Sequence, residues 1–197
     1  TYVRVVDYKT GSKKFDLREV YYGLDCQMLL YLFTLERNGG HLFSQGTAAG
    51  VEYLWADPAP ENIIRPETDD AEPLQAQNYP LEGLLLDEPS IYHAMDTRGT
   101  GAFVPLSFSA KTGEPTAQSA KARLADREKF NRIRDHLDGM LTDMAKNLYS
   151  GEIDAAPLVP NAGKSPCLWC EYRTVCRHAD GEGERTPLKP DDPFGAE

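Results

Sequence analysis

Apolar and polar positions in this chain follow two different periods. Residues 2–8 ("YVRVVDY") read as a strand, and "KTGSKKFD" after them reads as a turn, because Gly11 and Ser12 break the run. Leu17, Val20, Tyr21, Leu24, Met28, Tyr31, Leu32 and Leu35 then recur at helical spacing and predict one helix over 17–36. Asp16 is its N-cap, with Glu19 three residues on, and "NGG" at 38–40 stops it. Residues 49–56 ("AGVEYLWA") predict a second strand. Residues 57–80, rich in Pro, Asp and Glu, predict an exposed loop or insertion. "LEGLLL" (81–86) and "SIYHAMD" (90–96) are expected as short helices or turns, and "FVPLSF" (103–108) as another strand. The longest helix is expected over 119–150, with Leu124, Phe130, Ile133, Leu137, Leu141, Met144 and Leu148 as its apolar stripe. Arg123, Arg127, Lys129, Arg132 and Arg134 crowd its first half. Residues 150–166 read as a loop, and the tail after 178 as loosely held. Trp55 and Trp169 are expected to be packing residues.

Composition narrows the class. A chain of 197 residues with 41% apolar content suits one domain with appendages. Its net charge of −10 argues against a free-standing nucleic-acid binder. That charge is uneven: residues 38–119 hold 3 basic and 12 acidic residues, a net of −9, whereas 120–149 hold 7 and 5, a net of +2. No stretch has the length and apolarity of a membrane span, and no secretory signal is visible, so a cytoplasmic protein is expected. The abrupt start on a strand-like run suggests a fragment of something longer.

Two pairs of residues carry the chemistry. Asp7 and Lys9 lie at i and i+2 on a strand and so share a face. Alone, such a pair is most often a surface ion pair of small worth. Gln27 and Tyr31 lie at i and i+4 on the following helix, two polar tips expected on its inner, otherwise apolar face. A strand with Asp-x-Lys, a turn, and a helix with Gln-x-x-x-Tyr together resemble the PD-(D/E)xK nuclease core, most closely its RecB-type branch. Phosphodiester hydrolysis suits these residue types. A carboxylate such as Asp7 can bind hard Mg²⁺, and a nearby lysine can orient the attacking water and stabilise charge at phosphorus. The resemblance implies that Lys9 has this role and that Gln27 and Tyr31 support the site and contact DNA. Arg123 and Arg127 are further candidates for phosphate contact, although a solvated helix face is the commoner reading.

The four cysteines are Cys26, Cys167, Cys170 and Cys176, the last three in "CLWCEYRTVC". Three clustered thiols in such a chain suggest a metal site, zinc or iron–sulfur, over disulfides. With His178 two residues on, a Cys3His zinc site is conceivable. The context resembles the C-terminal end of AddB-type helicase–nuclease subunits, and "VDYKTG", "EVYYGLDCQMLLYL", "AAGVEYL", "GLLL" and "PC-x-x-C" fall in that family's order. The resemblance implies an α/β fold: a partial restriction-endonuclease-like core over 1–150, with a mixed sheet flanked by helices, and a cysteine-cluster segment over 151–197. It implies a 4Fe–4S cluster on Cys167, Cys170, Cys176 and one upstream cysteine, with DNA as substrate and an AddA-type helicase–nuclease subunit as partner in double-strand break repair. Cys26 does not match that upstream cysteine and is expected to pack as a small apolar residue. The family's first metal-binding aspartate has no counterpart before Asp7, so this piece is expected to be inactive alone. A catalytically degenerate DNA-end binding scaffold and a small zinc-binding interaction domain are the alternatives.

Overall fold

A computed structural model describes residues 1–11, 14–42, 46–56, 81–159, 165–176, 178, 183–186 and 192–195. The 57–80 loop expectation lies outside the described residues. Four strands form a mixed sheet in the order β1-β2-β3-β4. β1 (Tyr2–Lys9) runs parallel to β2 (Thr47–Trp55), β2 antiparallel to β3 (Leu81–Leu86), and β3 parallel to the two-residue β4 (Leu124–Ala125). This is the mixed α/β sheet that the sequence implied.

The helix expected over 17–36 is two helices, α1 (Leu17–Tyr21) and α2 (Gln27–Asn38). Between them Gly23 (φ 83°) and Asp25 (φ 54°) take left-handed backbone, which an α-helix does not contain. Asp16 caps α1 as expected, its side chain accepting from the Arg18 amide at 2.9 Å. "LEGLLL" is a buried strand and not a helix or turn. Gly83 permits it, since a Cβ there would come within 2.1 Å of the Val51 carbonyl oxygen. "SIYHAMD" falls in α3 (Pro89–Met95), as expected. "FVPLSF" forms no strand. Pro105 offers no amide to a ladder, and Val104 and Leu106 are buried in a small cluster with Leu85 and Tyr92.

The helix expected over 119–150 is also interrupted. α4 (Ala117–Arg123) ends where Leu124 and Ala125 turn extended to pair with Leu85 and Leu86. Asp126 then starts α5 (Arg127–Ser150), its side chain accepting from the Lys129 amide at 2.7 Å. A sheet pairing outweighed helix periodicity here.

The main core lies between the sheet and the helices. Val51, Tyr53, Leu84, Leu86 and Ala125 of the sheet meet Met28, Leu29, Leu32 and Phe33 of α2 and Phe130, Ile133 and Leu137 of α5. The rest of the predicted α5 stripe, Leu141, Met144 and Leu148, is exposed. The described tail is not loose. Leu158 bridges Arg185, and Phe194 is 3% exposed against Tyr21 and His136. Arg132 donates to the Phe194 carbonyl at 2.8 Å, and Lys129 pairs with Asp192 at 2.8 Å.

Candidate active site

Strand alternation sets the site. In β1 the odd positions, Val5, Asp7 and Lys9, are half-buried and the even ones exposed. Val5 packs into the main core beneath α2, so Asp7 and Lys9 share the helix-covered face. Register carries that row across the sheet, Asp7 opposite Tyr53 and Tyr53 opposite Glu82. Asp7 Oδ2 and Lys9 Nζ lie 2.6 Å apart, with 39% and 34% of their side chains exposed. The Lys9 ammonium also stands over the Tyr53 ring, 5.2 Å from its centroid. Burial, then the charges of Asp25, Asp7, Cys26 and Glu19, push the Tyr53 hydroxyl up to about 12, so it stays neutral. Asp25, which sequence reasoning did not single out, and Glu19, read there only as a capping residue, thus act with Asp7 on the Tyr53 hydroxyl. The alternation in "VEYLW" places Tyr53 on the core face and was the available signal for that residue.

Gln27 and Tyr31 lie elsewhere on α2 than expected. Both are exposed, not on an inner face, and Gln27 Nε2 donates to the Tyr31 hydroxyl at 2.8 Å. The apolar face of α2 is Met28, Leu29, Leu32 and Phe33, which leaves positions 27 and 31 on the opposite side. Among the described residues no hydrogen bond or ion pair joins them to the Asp7–Lys9 pair.

The basic candidates are matched by acids. Arg123 pairs with Glu82, and Arg127 with Glu36 at 3.7 Å and Glu88 at 3.4 Å. They belong to different helices. Cys26 is buried before α2, its thiol donating to the Leu24 carbonyl at 3.3 Å. Burial first and Asp25 second push that thiol up to about 11, which suits a packing residue. Cys167 sits in the 3₁₀ turn Pro166–Trp169, with Cys170 just after it and Cys176 ending α6 (Arg173–Cys176). Cys170 and Cys176 are exposed. Trp169, expected as a packing residue, is 88% exposed.

Among the described residues no three His, Cys, Asp or Glu side chains converge where they could hold a metal ion. Asp7 does suit one ligand to a hard cation, since its carboxylate is partly open to solvent and Lys9 occupies one of its oxygens.

A mixed sheet packed under helices, with an Asp-x-Lys pair on its helix-covered face, is an α/β core. The family model of the PD-(D/E)XK nuclease superfamily matches residues 1–177, and this chain belongs to that superfamily. Relatives named as subunits of an ATP-dependent helicase/deoxyribonuclease match most of it. One from Exiguobacterium sibiricum is 31% identical over 183 residues, covering 89% of this chain and 16% of the relative. Those from Clostridium kluyveri and Thermoanaerobacter sp. are each 31% identical, covering 90% of this chain and 15% of theirs. The chain thus spans about a sixth of the length of these curated relatives.

Proposed function

We propose that this chain is the nuclease region of a helicase–nuclease subunit that cuts DNA while double-strand breaks are processed for recombinational repair. The observation that carries this reading is the Asp7–Lys9 pair, 2.6 Å apart at the half-open end of β1. Asp7 would hold a divalent cation such as Mg²⁺, which when bound neutralises phosphate charge and makes water a better nucleophile. Lys9 donates hydrogen bonds toward the attacked phosphate, orienting the water and stabilising negative charge as it develops. Gln27 and Tyr31 present an exposed amide and phenol on the neighbouring helix for contact with the DNA strand. Arg123 of α4 and Arg127 of α5 have a smaller part, because each would have to leave an acidic partner to bind phosphate.

In this scheme Asp7 supplies one carboxylate to the cation site. Mg²⁺-dependent cleavage of single-stranded DNA by the intact protein tests it. Cleavage is expected to fall at least about 100-fold in Lys9→Ala, the scale of losing one stabiliser of developing charge. The 197-residue chain alone is expected to cut feebly or not at all. An intact protein that binds DNA ends but never cuts them would shift the assignment to a scaffold. We extend the same scheme to a helicase–nuclease partner subunit and to cluster ligation by Cys167, Cys170 and Cys176, supported by their spacing and their sequence context. Iron and sulfide content of anaerobically purified intact protein, lowered in Cys167→Ala, tests the cluster.

A further inference from the structure

We infer that the Tyr53 ring is the platform that holds the Lys9 ammonium in place at the end of β1, making Tyr53 a positioning residue; its bearing on catalysis rests on the nuclease reading above. Three observations carry it. Register puts Tyr53 beside Asp7 on the neighbouring strand, with Lys9 two residues further along the same face. The Lys9 Nζ stands over the ring at 5.2 Å from its centroid, within the range of cation–π attraction. The ring is itself fixed, 3% exposed and packed against Phe15 with centroids 6.3 Å apart.

Elementary chemistry says why such a platform is useful. A lysine side chain has a flexible four-carbon stem and holds no geometry unless something fixes its head. Asp7 fixes it in this structure, but Asp7 is also the carboxylate suited to a cation or to a reacting water. Whenever Asp7 turns to another partner, Lys9 loses its ion pair. The Tyr53 ring face has no competing use. It is uncharged, sits on a rigid central strand and keeps its quadrupole whatever Asp7 binds. The acids around it, Asp25, Asp7 and Glu19, keep the local potential negative, which also favours an ammonium above the ring. A tyrosine serving only as core filler would be replaceable by leucine with no effect on Lys9.

Two measurements decide it. In the 197-residue chain, the Lys9 ε-methylene protons, assigned by their loss in Lys9→Ala, should resonate upfield of free lysine through the ring current. Tyr53→Phe, which keeps the ring, should retain that shift, and Tyr53→Leu should abolish it. In the intact protein, Tyr53→Leu should lower kcat for DNA cleavage about tenfold with KM little changed, and Tyr53→Phe should stay within about twofold of wild type. Free-lysine shifts in the wild-type chain would overturn the inference, and that measurement needs no variant to fold. Wild-type cleavage by Tyr53→Leu would overturn it equally. The expected ring-current pattern in a protein that never cleaves DNA would uphold the platform and remove the nuclease reading instead.

Discussion

Glu52 is 1% exposed in β2, on the sheet face opposite the site, beside Val6 in the register. Its Oε2 accepts from Arg4 at 2.7 Å, and its Oε1 has no hydrogen-bond partner among the described residues. Burial outweighs Arg4 and pushes its carboxyl up to about 7, from an ordinary value of 4.5. The folded state therefore binds a proton more tightly than the unfolded chain. The sign follows: this group's contribution to stability is fully present below about pH 4.5 and is lost as pH rises through 7. Glu52→Gln carries no such penalty, so its melting temperature relative to wild type should climb across that window. Lys9 behaves differently. Its pair with Asp7 is about a third exposed and screened by water, so Lys9→Ala should change unfolding free energy by less than about 1 kcal/mol. Loss of cleavage with an unchanged denaturation midpoint would separate a chemical role from a structural one.

At the scale of elements, breaks in periodicity place the functional residues. The turn at 22–26 separates α1 from α2 and carries the buried Cys26 and Asp25, whose charge acts on the Tyr53 hydroxyl. Gly23 sits at φ 83° in that turn, and a Cβ there would meet the Met140 sulfur at 2.9 Å. The second break lets Leu124 and Ala125 extend the sheet and leaves Asp126 to cap α5. Asp126→Ala should cost about 1 kcal/mol in a denaturant titration, the usual worth of a lost N-cap. Gly83→Ala should cost more, at least about 2 kcal/mol, because its methyl would strike the β2 backbone, which cannot swing aside as a side chain can. The glycines and the "LD" after Gly23 were visible in the sequence. Periodicity averaged across them, because the apolar residues on either side remain in phase.

Across the whole molecule, residues 192–195 serve as a strap. Phe194 fills the corner between α1 and α5, and Asp192 is held by Lys129. Burial works to raise the Asp192 carboxyl, but the Lys129 bond and charge and the Phe194 amide lower it. Its contribution is thus present at neutral pH and lost as pH falls through the lowered value. Phe194→Ala should destabilise the protein by about 3 kcal/mol and make the C-terminal segment an early target of limited proteolysis. A proteolysis pattern identical to wild type would show that the strap is held by other contacts. Among the described residues no helix is long and apolar enough to cross a membrane.

The sequence by itself determined the strand at 2–8, the shared face of Asp7 and Lys9, and the Gln27–Tyr31 spacing; the structure carries the strand on to Lys9. All three depend on local period alone, and local period is written in neighbouring residues. It also carried the family, through the order of its motifs. The tertiary structure decided what those residues touch. Gln27 and Tyr31 face outward because Met28, Leu29, Leu32 and Phe33 took the buried side of α2. "LEGLLL" became a strand because β2 offered a partner ladder, and 124–125 left the helix because β3 did. Tyr53 came beneath Lys9 because a parallel register set two strands side by side that lie far apart along the chain. Pairings over that distance are settled by burial and backbone hydrogen bonding, which no window of sequence contains.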